Sequence, residues 1–228
     1  MTFMKIENIR KDYGTGDTAV RALNDVSLNI EKGTYAAITG SSGSGKSTLL
    51  TILGAMCIPT QGSVYWGDKD LYSLNEEDRS TFRNENLGFV FQSFHLVPYL
   101  TLEENVMLPL AIQNRSKEEK ISEARKTLEK VGLGDKYNRL PSEVSGGEQE
   151  RAAIARAIVH KPALLLADEP TGNLDTQTGK EVMNLLGQLN KDGMTILMVT
   201  HSDEWANCAT EKIKLADGAL LNHHSNLN

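Results

Sequence analysis

The stretch Gly40-Ser41-Ser42-Gly43-Ser44-Gly45-Lys46-Ser47-Thr48 decides the fold of this chain. The apolar residues 35–38 precede it and the apolar residues 49–53 follow it, which predicts a strand, a glycine-rich turn and a helix. This is the context that a phosphate-binding P-loop requires. Glycines let backbone N–H groups turn inward around an anion, and the N-terminus of the next helix points its positive end at the same phosphates. A serine- and glycine-rich linker would have no reason to place Gly-Lys-Ser-Thr between a strand and a helix.

Two side chains of this turn have specific expected roles. Lys46 is expected to reach the β- and γ-phosphates of a nucleotide, and the Ser47 hydroxyl is expected to hold Mg²⁺. The turn alone does not say which class of nucleotide-using protein this is.

The composition restricts the class of protein. With 228 residues, 39% hydrophobic and 24% charged, the chain is long enough for one large α/β domain that includes an inserted subdomain. The net charge of −6 disfavours a broad nucleic-acid-binding surface. Cys57 and Cys208 lack the spacing of metal ligands and are expected to be reduced thiols. No signal peptide and no run of about 18 apolar residues is visible, which predicts a cytoplasmic protein that does not span a membrane.

Periodicity separates sheet from helix along the chain. Residues 3–30 alternate as two antiparallel strands around a turn at residues 14–17. Thr101 and Ser116 each begin a capping-box pattern that opens a helical run. We therefore interpret residues 93–145 as a helical insertion.

The C-terminal part of the chain is expected to finish in a hairpin near residues 215–221. His223 and His224 follow it without periodicity, and we interpret them as part of a solvated tail and not as a metal site.

Two carboxylates end the apolar residues 164–167. On a strand, Asp168 and Glu169 would leave opposite faces, at the carboxyl end of a parallel sheet beside the P-loop. Asp168 is then expected to bind the Mg²⁺ that Ser47 holds, and Glu169 to polarise the water that attacks the γ-phosphate. An ordinary strand-to-loop junction is the alternative for this pair taken alone.

Gln92 and His201 also follow buried-type strands. Their neutral or weakly basic side chains suit the sensing of a γ-phosphate or of the catalytic water. Simple polar capping of the strand ends is the alternative for each residue alone. Tyr13, at the end of the first strand, is either one more sheet aromatic or a platform for a nucleotide base, and taken alone the first interpretation is favoured.

The residues Ser145-Gly146-Gly147 precede a helix and repeat the logic of the P-loop. A hydroxyl, exposed N–H groups and a helix N-terminus together make a second anion site. One domain with one nucleotide has no obvious use for two such sites. We therefore expect a head-to-tail dimer in which each copy completes the nucleotide site of the other.

Taken together, these residues resemble the ATP-binding subunits of ABC transporters over nearly the whole chain. The matching features are the base-stacking Tyr13, the Walker A turn at 40–48, the Q-loop Gln92, the signature loop at 144–148, the Walker B strand at 164–168, the catalytic Glu169, the D-loop Asp175 and the switch histidine His201. A P-loop kinase or GTPase would lack the Ser-Gly-Gly loop and the helical insertion. The resemblance overturns the interpretation of Tyr13 as a plain sheet aromatic.

The resemblance implies a fold. This is an α/β P-loop NTPase (RecA-like) core with an N-terminal antiparallel β subdomain and an inserted α-helical subdomain. Residues 1–228 would form a single ABC ATPase domain, with 1–92 and 146–228 in the nucleotide-binding core and 93–145 in the helical subdomain.

The resemblance also implies ATP and Mg²⁺ as ligands and three sets of site residues. The catalytic residues would be Glu169, His201 and Gln92. The metal would be held by Ser47, Gln92 and Asp168. ATP would be bound by Tyr13, Gly40, Ser41, Ser42, Gly43, Ser44, Gly45, Lys46, Ser47, Thr48, Ser145, Gly146, Gly147, Glu148 and Asp175.

Within the family, residues 88–94, 102–106 and 169–175 resemble the LolD/MacB/FtsE group. Its members pair with membrane subunits that export lipoproteins, macrolides, peptides or haem, or that regulate cell-wall hydrolysis. This implies a homodimer on the cytoplasmic face of the inner membrane, bound to an integral membrane permease and not to nucleic acid. The alternatives are an FtsE-like regulatory ATPase with little transport and a soluble ABC ATPase that acts on nucleic acid or ribosomes.

Four residues depart from the family pattern. Val144 and Glu148 replace the ends of the usual Leu-Ser-Gly-Gly-Gln signature, Glu150 stands where Gln or Arg is more usual, and Cys57 stands where the group often has Asp. The lipoprotein-releasing members often carry Glu at the position of Glu148, so this residue need not mean inactivity.

One apolar stretch of the insertion has two open interpretations. It either helps to dock a membrane partner or belongs to the core of the helical subdomain, and the sequence favours neither. Its residues are Phe94, Leu96, Val97, Tyr99 and Leu100.

Overall fold

A computed structural model describes residues 2–14 and 16–225 of the chain, which form two β-sheets. The four-stranded antiparallel sheet has the order β2-β1-β4-β5, and its strands are β1 (Thr2–Tyr13), β2 (Val20–Glu31), β4 (Gln61–Trp66) and β5 (Lys69–Asp70). The six-stranded sheet has the order β10-β9-β3-β8-β7-β6. Its strands are β3 (Tyr35–Thr39), β6 (Leu87–Phe91), β7 (Leu164–Asp168), β8 (Thr195–Val199), β9 (Glu211–Ala216) and β10 (Ala219–Ser225).

Seven α-helices lie among the described residues. They are α1 (Lys46–Leu53), α2 (Glu76–Asn86), α3 (Leu102–Met107), α4 (Lys117–Lys130), α5 (Gly146–Ile158), α6 (Thr176–Lys191) and α7 (Asp203–Ala206). No helix in residues 2–14 and 16–225 has the length and apolar character needed to cross a bilayer.

The six-stranded sheet is parallel except at one edge. Strands β9, β3, β8, β7 and β6 pair in parallel, and only β10 pairs antiparallel, with β9. The carboxyl ends of the parallel strands therefore meet at one edge of the sheet, which is where ligands bind in such folds.

Alternate residues of the central strands pack on opposite sides of this sheet. In β7, Leu164 and Leu166 join a core formed with α1 and the antiparallel sheet, whereas Leu165 and Ala167 join a core formed with α3, α4, α5 and α6. All four side chains are fully buried, and burial of each leucine contributes about 1.5–3 kcal/mol. The parallel sheet is thus covered on both faces, and this fixes the position of its carboxyl edge.

Local helix signals in the sequence are confirmed. Thr101 and Ser116 each cap a helix with reciprocal bonds to the glutamate three residues later, Glu104 and Glu119. The helices that they open, α3 and α4, pack on each other and on α5. The division of the chain at residues 93 and 145 stays a prediction.

Three sequence-based expectations need correction. Glu169 is not part of β7, because the strand ends at Asp168 and Glu169 has a left-handed backbone with φ 50°. Helix α5 begins at Gly146, so the Ser-Gly-Gly loop is its cap and first turn. His223 and His224 lie in β10, not in a loose tail, and His223 Nε2 is 2.8 Å from Glu211 Oε2. Asn226 lies outside the described residues.

Candidate nucleotide-binding and hydrolysis site

The turn between β3 and α1 is shaped by glycines that no larger residue could replace. Gly40 has φ 151°, and a Cβ there would lie 2.3 Å from the carbonyl oxygen of Leu215. Gly45 has φ 96°, and a Cβ there would lie 2.4 Å from the carbonyl oxygen of Ala22. The backbone is therefore pressed against its neighbours, and residues of the turn line a cavity of about 220 Å³ together with His201.

Two buried groups of this turn lack an anionic partner. Lys46 is only 5% exposed, and its Nζ donates to the carbonyl oxygens of Gly40 and Ser41, at 2.9 and 2.8 Å. Burial lowers the pKa of Lys46, while the carboxylates of Glu169 and Asp168 raise it. Ser44 Oγ is buried without a hydrogen-bond partner. A cradle of this shape with an ammonium group and an unused hydroxyl fits the phosphates of a nucleotide.

Oxygen atoms from two distant segments meet beside the turn. Ser47 Oγ donates to Asp168 Oδ1 at 3.3 Å, across 121 residues of sequence. Burial raises the pKa of Asp168, and the Ser47 hydrogen bond and the Lys46 charge oppose this shift. A hydroxyl and a carboxylate are ligands that Mg²⁺ prefers, so these two residues fit the predicted metal site.

Glu169 and His201 meet at the carboxyl ends of β7 and β8. Glu169 Oε1 lies 3.2 Å from His201 Nε2, without hydrogen-bond alignment, and Glu169 Oε2 accepts the His201 backbone N–H at 3.3 Å. Burial raises the pKa of the Glu169 carboxyl, and His201 opposes this. A carboxylate with a raised pKa is suited to accept a proton from water.

Gln92 lies beside the loop that follows Glu169. Asn173 Nδ2 donates to the Gln92 carbonyl oxygen at 2.7 Å, and a Cβ on Gly172 would lie 2.9 Å from Gln92 Nε2. Among the hydrogen bonds of the described residues, none joins the Gln92 side chain to Ser47 or Asp168. Its predicted metal contact therefore stays a prediction.

The predicted second anion site stands at the start of α5. Ser145 caps the helix, and Glu148 Oε2 accepts both its backbone N–H, at 2.8 Å, and its hydroxyl, at 3.0 Å. Within residues 2–14 and 16–225, no hydrogen bond or ion pair joins residues 145–148 to residues 40–48. The two predicted halves of the nucleotide site are therefore separate in one copy of the chain.

Tyr13 is 45% exposed at the end of β1. Its hydroxyl is 3.6 Å from Cys57 Sγ, and Lys11 Nζ lies 5.0 Å from the centre of its ring. Burial and the contact with Cys57 raise the pKa of Tyr13, while a hydrogen bond with the Thr48 side chain lowers it. The ring thus stands next to α1 with accessible surface, as expected for a base platform.

Asp175 has a clear structural role. As the cap of α6, its carboxylate accepts the backbone N–H groups of Gln177 and Thr178, at 3.0 and 3.1 Å. The methyl group of the same Thr178 packs so closely on Gly147 that a Cβ there would lie 2.1 Å away. Asp175 therefore stabilises the helix end on which the Ser-Gly-Gly loop rests.

Sequence reasoning missed Arg156, which ties α5 to the loop after Gln92. Its guanidinium donates to the carbonyl oxygens of Phe94, at 2.7 Å, and His95, at 2.5 Å. Phe94 and His95 both have left-handed backbones, with φ 58° and 49°. The local sequence gives only a weak signal for such a pair, because histidine is among the residues enriched in left-handed backbone whereas phenylalanine is not.

The chain is similar to known proteins over most of its length. The family model described as ABC transporter matches residues 23–172. The chain is 46% identical to the uncharacterized ABC transporter ATP-binding protein MJ1508 of Methanocaldococcus jannaschii, over 96% of this chain and 97% of that protein. It is 43% identical to the lipoprotein-releasing system ATP-binding protein LolD of Geobacter metallireducens, over 96% and 98%.

Longer proteins and solved structures also match. The macrolide export ATP-binding/permease protein MacB of Rhodopirellula baltica is 46% identical over 95% of this chain, but the chain spans only 32% of its length. A dimeric structure of the ATP-binding cassette MJ0796, in a post-hydrolysis state bound to ADP and Pi, superposes with a TM-score of 0.90. It is 40% identical, and 99% of each chain is covered.

Proposed function

The chain belongs to the ABC transporter family and is an ATPase, and we propose that it drives a separate membrane subunit in export or extraction of a substrate. The observation that carries the hydrolysis behind this function is the meeting of Ser47, Asp168, Glu169 and His201 at the carboxyl edge of the parallel sheet. Its relatives LolD and MacB support a lipoprotein- or macrolide-type complex at the cytoplasmic face of the inner membrane.

Hydrolysis is assigned to the residues of this edge. Lys46 exchanges its two carbonyl partners for the β- and γ-phosphates of ATP. Glu169 accepts a proton from the attacking water as the bond between the γ-phosphorus and the bridging oxygen breaks, and His201 holds Glu169 in place. Ser47 and Asp168 would hold Mg²⁺, which would supply positive charge to stabilise the negative charge on the phosphate oxygens.

Two copies are needed for a complete site. The cavity beside the P-loop is lined by residues of the turn, by Ala22 and by His201, but by none of residues 145–148. Each copy therefore offers its Ser145-Gly146-Gly147 loop to the ATP of the other, as the dimeric form of the structural relative supports. The dimer closes around two ATP molecules and reopens after hydrolysis. This motion is transmitted to the membrane subunit.

A groove of about 460 Å³ is the proposed docking site of the membrane subunit. Met56, Phe89, Phe91, Pro109, Ala157 and Arg156 are among the residues that line it. Arg156 also holds the loop after Gln92, so a segment seated here would be coupled to the edge of the sheet where Gln92 lies. The residues of the apolar stretch at 94–100 differ in burial. Leu96 packs on the core, whereas Tyr99 is 79% exposed.

The test is co-purification of the tagged chain with its membrane subunit from detergent-solubilised membranes. We expect Met56→Asp, at the groove, to lose the polytopic partner, because the charge would be buried on docking. The control is Leu221→Asp, since Leu221 is exposed on β10 and does not line the groove. Loss of the partner by both variants, or by neither, would contradict this docking site.

A further inference from the structure

Glu148 occupies the positive end of helix α5. Its Oε2 accepts a hydrogen bond from the N–H of Ser145, and the Ser145 hydroxyl donates a second hydrogen bond to the same oxygen. In return, Ser145 Oγ accepts the N–H of Glu148 at 3.4 Å. The carboxylate thus uses the Ser145 hydroxyl, a donor that, in the proposed dimer, is presented to the phosphates of the partner's ATP.

A carboxylate in this place opposes the binding of a second anion. The N-terminus of a helix favours negative charge, but a full charge at its third residue already satisfies much of that preference. A triphosphate approaching Ser145 would meet like charge in a contact from which water is excluded, where repulsion is strongest. An amide in place of the carboxylate would cap the helix without this charge.

Lys136 supplies the opposite charge. Its Nζ contacts Glu148 Oε1, the oxygen that does not bond to Ser145, from the segment between α4 and α5. The Glu148 side chain is 17% exposed and that of Lys136 is 34% exposed, so water screens the pair only in part. The hydrogen bond with Lys136, together with those of Ser145, lowers the pKa of Glu148 to about 2. Glu148 is therefore fully ionised near neutral pH, and its charge is cancelled by this lysine and not by a proton.

We propose that Lys136 is a positioning residue of the shared ATP site: it neutralises Glu148, so that Ser145 and the first N–H groups of α5 can receive the phosphates of the ATP held by the other copy. This role rests on the proposed dimer. Lys136 acts through Glu148, so its importance depends on the carboxylate being present.

That dependence gives the experiment. In a Glu169→Gln background, which slows hydrolysis, ATP-driven dimer formation is followed by analytical ultracentrifugation as Mg-ATP is increased. We expect Lys136→Met to raise the ATP concentration for half-maximal dimer formation by about tenfold or more. Adding Glu148→Gln should bring it back to within about twofold of the reference, because the amide keeps the helix cap and removes the charge.

Two controls separate charge from folding. Lys136→Arg keeps the charge and should dimerise like the reference. Binding of a fluorescent ATP analogue to each monomer should be the same in all variants, because Lys136 does not line the P-loop cavity.

Two outcomes would overturn the role of Lys136. One is dimer formation by Lys136→Met at the reference ATP concentration; the other is a Lys136→Met/Glu148→Gln variant no better than Lys136→Met. If the Glu169→Gln reference itself stayed monomeric with ATP, both the proposed dimer and this role of Lys136 would be contradicted. That result is distinct from the other two.

Discussion

Glu169 Oε1 lies 3.2 Å from His201 Nε2, although the two residues follow different strands and are 32 positions apart. The contact places a partly buried carboxylate, with a pKa raised by burial, beside the P-loop cavity that His201 lines. Because the neighbouring strands β7 and β8 are parallel, their ends hold both residues at one edge.

Glu169→Gln should lower ATP turnover by about 10²–10⁴-fold, since an amide cannot accept the proton of the attacking water. Binding of ATP should persist, because Lys46 and the turn are unchanged. The measurements are phosphate release at saturating ATP and ATP affinity by calorimetry. Glu181→Gln, in an exposed residue of α6, is the matched control and should hydrolyse ATP normally. Wild-type turnover in Glu169→Gln would refute its role as the base.

Lys46→Ala should abolish measurable ATP binding. The buried ammonium group is the one cation that the P-loop itself provides, and an alanine leaves the phosphate charge without it. Calorimetric titration with Mg-ATP checks this, with Lys191→Ala, at the exposed end of α6, as the control. Retained affinity in Lys46→Ala would count against the phosphate cradle.

Tyr13→Ala should weaken ATP binding by about 1–3 kcal/mol, the usual contribution of one base stacked on an aromatic ring. Tyr13→Phe keeps the ring and loses only the hydroxyl contacts with Cys57 and Thr48, so its affinity should stay near that of the wild type. Equilibrium titration with ATP and with triphosphate alone separates the base from the phosphates. An equal loss of affinity for both ligands would argue against stacking.

Glu150→Gln should change how stability depends on pH. Glu150 is fully buried in α5, neither carboxylate oxygen has a hydrogen-bond partner, and burial raises its pKa to about 8. Between its usual pKa of 4.5 and about 8, the folded chain holds a proton that the unfolded chain has released, so stability falls as pH rises. Over this window the loss reaches up to about 5 kcal/mol and then levels off.

The amide of the Glu150→Gln variant does not titrate in this pH range. The free energy of unfolding of Glu150→Gln, from urea titrations between pH 5 and 9, should therefore exceed that of the wild type by an amount that grows with pH. Glu118→Gln, at an exposed position of α4, is the control and should show no such trend. A difference that is constant or shrinks with pH would contradict an uncharged Glu150.

Arg156→Met should loosen the loop after Gln92. Two charge-assisted hydrogen bonds to Phe94 and His95 would be lost, and their left-handed backbones would lose the partner that holds them. We expect about 1–3 kcal/mol of lost stability and faster amide exchange in residues 92–96. Hydrogen-exchange mass spectrometry checks this, with the exposed Arg139→Met as control. Unchanged exchange in that segment would show that Arg156 does not hold the loop.

The sequence alone was sufficient for features that depend on near neighbours in the chain. The helix caps at Thr101 and Ser116 and the buried strand before Asp168 depend on residues within a few positions. The parallel order of strands then brings Ser47 to Asp168, as their positions at strand and helix ends predict. The physical cause of these features is a periodic pattern or a three-residue spacing, and both can be read directly from the sequence.

Only the tertiary structure decided how the loops between these elements are held. The carbonyl oxygens of Phe94 and His95 point at Arg156 from more than 60 positions away, and Lys136 reaches Glu148 across the start of α5. The left-handed turn at Glu169, which aims its carboxylate at His201, also has no sequence signal. Such contacts depend on where packed helices and sheets bring the loops in space, and the energies that select them come from long-range packing and not from local preference.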